Sequence, residues 1–240
     1  RAFVIASEDF DYDDVALIRG GYGGSGWVDP WSGNCFITPG SLKFANLAHY
    51  GNKLTTSGEQ TGPELVKCSF RTISPEGNEK VMENGHLGKD NTTVWIGFLV
   101  NVPAPTPISG YGGLSLYDVN RQQVFLGDTG ASNVWAFERT GQLQKFSNAL
   151  AAEKVCFLVY RIQFLEGDDE ITMWVNPEPG TRPPPEDAAA VEPTMVRDFR
   201  FNRIRFCSAP TPMSFDALRF GTSYADIAPI DGPKNRATEK

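Results

Sequence analysis

No stretch of this 240-residue chain approaches the ~18 consecutive apolar residues of a membrane-crossing helix, so insertion into a bilayer by a helix is not expected. Lysine and arginine number 22 against 29 acidic residues, giving a net charge of −7, and nowhere do they cluster. A nucleic acid or an anionic membrane surface is therefore not the expected partner, because a phosphate field needs clustered cations. Histidine is scarce. His49 and His86 are the only two, and neither stands in a Gly-x-Ser-x-Gly or His-Glu-x-x-His context. The glycines of Gly20–Gly26 lack the Lys-Ser/Thr that follows a phosphate loop. No period of ~20–50 residues repeats, which disfavours propellers and solenoids. Amphipathic helix is almost missing; one short helical turn is expected within Ser41–Tyr50, bounded by Gly40 and Gly51.

What the chain does have is alternation. Apolar residues make up 40% of it and aromatics 12%, enough to fill a sizeable core. In Thr92–Val102, Val94, Ile96, Phe98 and Val100 share one face while Trp95 and Leu99 share the other. Lys154–Pro177 reads as two strands around the polar turn Glu166–Asp169, with apolar groups on both faces. Such a pair belongs between covering layers and not at an edge. Further strands are expected at Phe3–Ala6, Leu65–Ile73, Gly113–Tyr117, Gln123–Gly127, Val134–Glu138, Phe199–Cys207 and Met213–Phe220. Ser74–Asn91 and Pro177–Pro193 read as loops, the second as a mobile one, and Arg19–Gly26 as a glycine-rich surface loop. Many strands joined by glycine- and proline-rich turns predict an all-β fold, a two-sheet antiparallel jelly-roll sandwich. No linker divides two cores, so one domain is expected over residues 1–230, with 231–240 as tail or linker.

Cys35, Cys68, Cys156 and Cys207 lack the close-spaced pairs of zinc or redox motifs. Cys156 and Cys207 sit inside apolar strands, where a reduced thiol is an ordinary core group, so mostly free, buried cysteines are expected. The chain opens on Arg1, and an upstream secretory segment, removed or left out, is the expectation drawn from that.

SEDFDY near the start, GGSGWVDPW after it, MWVNP and the closing FDALRFGTSYADIAP together resemble bacterial secreted concanavalin A-like (laminin G-like) jelly-roll domains of the lectin/glucanase superfamily. The resemblance spans Glu8–Pro229 and implies two curved sheets with the first and last strands adjacent. It also implies a secreted, periplasmic or cell-surface location. Laminarinase-like members of that superfamily carry Glu-x-Asp-x-(x)-Glu on one strand, since retaining hydrolysis needs two carboxyls about 5–5.5 Å apart. Here Glu170 is followed by Thr172 and Trp174, and Asp168–Glu170 reads as a solvated turn.

Two candidate sites remain. Asp9, Asp11 and Asp13 alternate, but Asp14 and Gly20 break the EF-hand pattern. The resemblance instead implies a structural calcium ion joining the first strand to the last, with Glu8 or Asp9 and Asp216 at the matching positions; the alternative is that these carboxylates bond backbone N–H groups at strand ends. Tyr22, Trp27, Trp31 and Tyr111, beside glycines, are candidates to stack on sugar rings, against a reading in which Trp27 and Trp31 plug the open end of the sandwich. The expectation is a non-catalytic extracellular binding or adhesion module with a glycan or cell-surface component as partner. A ligand-free structural domain of a larger surface protein is the first alternative. A glycoside hydrolase or polysaccharide lyase with an unrecognised site is the second.

Overall fold

The alternation of Thr92–Asn101 is realised as the central strand of a sheet covered on both faces. The computed structural model describes residues 2–12, 17–56, 68–102, 110–151 and 154–231. In chain order the first strands are β1 (Val4–Glu8), β2 (Ser32–Gly33), β3 (Phe36–Thr38), β4 (Lys53–Thr55) and β5 (Ser69–Thr72). Next come β6 (Met82–Glu83), β7 (His86–Leu87), β8 (Thr92–Asn101), β9 (Gly110–Asp118), β10 (Arg121–Asp128) and β11 (Val134–Arg139). The last are β12 (Leu143–Leu150), β13 (Cys156–Phe164), β14 (Asp169–Val175), β15 (Val191–Val196), β16 (Arg203–Pro210) and β17 (Ser214–Gly221), followed by the short helix α1 (Tyr224–Ile227).

Two antiparallel sheets face each other. One is eight-stranded, ordered β15-β14-β13-β8-β17-β4-β3, with β1 also joined to β17; the other is seven-stranded, ordered β12-β11-β10-β9-β16-β5-β2. This is the expected jelly-roll sandwich, with the first strand beside the last. Between the sheets, Val94, Ile96, Phe98 and Val100 of β8 meet Leu158, Tyr160 and Ile162 of β13, and Leu114 and Leu116 of β9. A fully buried apolar side chain of this size contributes about 1.5–3 kcal/mol relative to an exposed one.

Several expectations need correction. Ser74–Asn91 is not all loop: Asn84-Gly85 joins β6 to β7, both with positive φ (51° and 77°). An Asn-Gly pair suits the type I′ hairpin turn that the twist of paired strands favours. Ser41–Tyr50 forms no helix; the four-residue α1 sits at Tyr224–Ile227 instead, with Ser223 and Asp226 forming its capping box. The Pro177–Pro193 segment is tied down by hydrogen bonds from Trp174 Nε1 to Pro185 O (3.0 Å) and from Tyr224 Oη to Glu178 O (2.6 Å). Its end belongs to the edge strand β15. Cys207 is not a free thiol: it is disulfide-bonded to Cys68, directly across the β5–β16 pair, with Cα atoms 4.4 Å apart. That is the separation of a non-hydrogen-bonded antiparallel pair. Cys35 and Cys156 are buried as expected, and burial pushes the Cys35 thiol up to about 12. Residues 65–67 of the expected Leu65–Ile73 strand, Asp13 and Asp14, and 232–240 of the expected tail lie outside the described residues.

Candidate functional site

The outward faces of the two sheets differ. On the eight-stranded sheet, Trp95, Leu99, Phe157, Val159 and Trp174 point away from the sandwich and are buried under α1 and the Leu42–Leu47 segment. Trp95 stacks on Trp174 with centroids 5.4 Å apart, and Tyr224 meets Trp95 edge-on at 5.6 Å. Gly97 makes this cover possible, because a Cβ there would lie 2.9 Å from Ile227 Cδ1 and 3.0 Å from Phe157 Cε2. Those rings are closed to a ligand, although the Pro177–Ala188 segment over Trp174 and Tyr224 itself lines a cavity of ≈880 Å³.

The outward face of the seven-stranded sheet is polar and aromatic. Register aligns Phe70, Arg205, Ser115, Phe125, Glu138 and Gln144 in one row across successive strands. The next row holds Cys207, Gly113, Gly127 and Ala136. Gly113 and Gly127 lie opposite each other without side chains, and each needs that: an added Cβ would come within 2.2 Å of Leu126 O at Gly113 and 2.4 Å of Gly112 O at Gly127. On the same sheet a cleft of ≈230 Å³ is lined by Tyr111, Gln122, Phe125, Thr129, Glu138 and Arg205. Tyr111 and Phe125 meet edge-to-face at 6.2 Å, and Tyr111 Oη lies 3.7 Å from Cys207 Sγ. Arg205 Nη2 donates to Ser115 Oγ (3.2 Å) and Gln122 Oε1 (3.1 Å). Arg205 Nε and Thr129 Oγ1 are buried without a hydrogen-bond partner. Unused polar groups of this kind cost free energy unless a ligand or water fills them. Burial holds the Tyr117 phenol beside Arg205 above its usual range, the guanidinium countering only in part, so it stays a neutral O–H.

Of the four aromatics expected to bind sugar, Tyr111 alone lies in this cleft. Trp31 (1% exposed) and Trp27 (8%) are buried, so neither offers a face to a ligand. With Tyr22 they surround the buried Arg71 guanidinium at 5.5, 5.1 and 5.6 Å from the ring centroids. Tyr22 is exposed on its other side. The physical reason is charge burial: Arg71 and Glu8 pair at 2.6 Å inside the molecule, and aromatic faces favour a desolvated cation.

The same pair explains the expected calcium ligands. Glu8 accepts hydrogen bonds from Phe10 N (2.9 Å), Tyr12 Oη (2.8 Å), Trp31 Nε1 (2.9 Å) and Arg71 Nη1. Asp9 pairs with Arg219 at 2.7 Å. Asp216 stands where the register of β17 shifts, and accepts from Ser41 Oγ (2.5 Å), Leu42 N (2.7 Å) and Ala217 N (2.7 Å). Burial nonetheless raises its carboxyl to about 7, with the nearby Asp9 charge adding to the rise. Two guanidinium groups thus supply positive charge where the first and last strands meet. Among the described residues no group of three or more His, Cys, Asp or Glu is set to hold a metal ion. The expected solvated turn at Asp168–Glu170 is also revised. Asp169 is fully buried, accepts from Leu165 N (3.1 Å) and Phe199 N (2.9 Å), and is raised by burial to about 6.

Alternation had marked the strands that carry the cleft, but not which of their faces stays open. The signal that was present is glycine inside strands, in GYGGLSLYD and FLGD, where it marks a place without side chains.

No protein-family model matches the chain, and no curated protein matches it significantly. Solved structures do resemble it. A botulinum neurotoxin serotype C1 binding domain is 12% identical with a TM-score of 0.50, covering 92% of this chain and 48% of that one. The CBM2 module of the evolved Dit protein of Lactobacillus casei BL23 phage J-1 is 11% identical with a TM-score of 0.48, covering 94% and 98%. The chain spans about half the length of the neurotoxin binding-domain chains it matches. At these identities the likeness is one of fold.

Proposed function

We propose that this chain is a non-catalytic binding module whose ligand, of carbohydrate type, lies in the cleft on the outer face of the seven-stranded sheet. The observation that carries this reading is the convergence of the half-buried Tyr111 ring with amide, hydroxyl, carboxylate and guanidinium groups in one cleft, with Arg205 Nε and Thr129 Oγ1 unused. Sugars present dense hydroxyls, and the largely polar lining of this cleft answers those. Glu138 is the one carboxylate among the lining residues. Hydrolysis by paired carboxyls takes two, which favours binding over glycoside cleavage. The Cys68–Cys207 disulfide supports a secreted or cell-surface setting for the same module.

A glycan array tests the reading. Hits are expected for the unchanged protein and should be lost in Tyr111→Ala and Glu138→Gln at an unchanged Tm. An array without hits, or hits that both substitutions leave intact, would remove the cleft from consideration. Calcium at Glu8, Asp9 and Asp216 stands as a separate proposal: a Tm lowered by chelator supports it, and an unchanged Tm leaves Arg71 and Arg219 as the clasp.

A further inference from the structure

Arg203 and Arg205 stand two residues apart on β16 and so project from the same outward face. Both guanidinium groups lie over the Phe70 ring, at 4.5 and 6.0 Å, and that of Arg205 also lies 5.2 Å from the Tyr117 centroid. Arg71, Arg161, Arg200 and Arg219 all have carboxylate partners. Among the described residues Arg203 and Arg205 have none, as is also true of Arg19, Arg121, Arg139, Arg182 and Arg197, but these two are neighbours on one face; Arg203 Nη1 donates to the neutral Asn120 Oδ1 (3.2 Å). Glu138 cannot fill this role, because it stands three strands away from Arg205 in the same row. At ~4.8 Å per strand that is roughly 14 Å between backbones. Glu138 already accepts from Gln144 Nε2 at 3.0 Å, which leaves it suited to sugar hydroxyl donors.

On a chain of net charge −7, two neighbouring arginines left without counter-charge beside a polar cleft are a site awaiting an anion. Their stacking on Phe70 and Tyr117 holds the planar forks in place before any ligand arrives. With both Nη2 hydrogens given to Ser115 and Gln122, Nη1 is the Arg205 group left to donate a charge-assisted hydrogen bond to a carboxylate. We infer that the ligand is an acidic saccharide whose carboxylate is taken by Arg205, with Arg203 adding longer-range attraction. This rests on the cleft being the ligand site.

The test uses calorimetric titration with oligogalacturonate, its carboxyl-reduced neutral form and a sulfated galactan oligomer. The acid form is expected to bind about tenfold or more tightly than the reduced form. That preference should shrink as salt is raised from about 50 to about 300 mM, as expected for a screened charge pair. Arg205→Gln should abolish the preference, weakening binding of the acid form more than that of the reduced form, and Arg205→Lys should restore only part of it. Thermal melts of each variant separate loss of recognition from loss of folding. Equal affinity for acid and reduced forms overturns the acidic-ligand inference and leaves the cleft reading standing. Tighter binding of the sulfated oligomer overturns the carboxylate assignment. Failure of all three to bind, together with an empty glycan array, overturns both.

Discussion

The two outward faces of this sandwich began from similar material and ended in opposite roles. Each has aromatic residues at alternate strand positions: Trp95, Phe157 and Trp174 on one, Phe70, Tyr117, Phe125 and Tyr111 on the other. The difference lies in what stands beside them. Around Trp95 and Trp174 the neighbours are apolar, and chain segments fold over to cover them. Around Phe70 and Tyr111 the neighbours are the polar Arg203, Arg205, Gln122 and Glu138, and the two rings stay half-covered. Aromatic content alone therefore does not decide whether a face is left open. Its polar company does.

The comparison can be broken most forcefully at Trp174. Trp174→Ala should lower stability by about 3–5 kcal/mol in urea unfolding, since it opens a cavity beneath the Pro177–Ala190 segment. Tyr111→Ala on the open face should cost below about 1 kcal/mol, a near-surface change. Similar losses at the two positions would mean that the faces are not distinct. A smaller effect is expected at Gly97. Gly97→Ala forces Ile227 and Phe157 aside and should cost about 1–3 kcal/mol by unfolding, with α1 lifted and Trp95 fluorescence shifted to the red. An unchanged spectrum would show that α1 does not need this close approach.

The remaining effect is electrostatic. The Asp216 carboxyl, near 3.8 in an unfolded chain, is raised to about 7 in the folded one, and Asp169 to about 6. The folded state therefore holds more protons between these values. Stability from these groups is fully present below about pH 4 and is lost as pH rises through about 7. Asp216→Asn, which cannot ionise, should narrow the Tm difference between about pH 5 and about pH 8. An identical pH slope in the variant would show that Asp216 does not contribute to it.

The sandwich was legible from alternation. Val94 through Val100 and Ile171 through Val175 lie on the faces their spacing assigns, and Trp95 and Trp174 on the opposite ones. Local pattern did not extend to Leu143–Leu150, an edge strand too polar to alternate clearly, or to the β6–β7 ribbon, which two residues a side make too short for periodicity. The site was less legible. Tyr22, Trp27 and Trp31 share glycine-rich surroundings with Tyr111. Only the position of Arg71, a distant strand residue that needs a desolvated cage, separates their roles. The row joining Arg205 to Glu138 depends on the register of four strands drawn from two distant parts of the chain, which spacing along one segment does not encode.

The joining of β1 to β17 has a consequence in time. Asp9 and Arg219, 210 positions apart, cannot meet until nearly the whole sheet exists, and β1 has no other strand to lie against. During synthesis Ser7 can pair with Ser25 and Glu8 with Tyr12, Trp31 and Arg71 early, but the strand partner of β1 is present only once β17 emerges and docks on β8. Contacts so far apart in sequence make folding slow, and they expose β1 to wrong partners meanwhile. Assembly of this molecule is thus completed at its beginning.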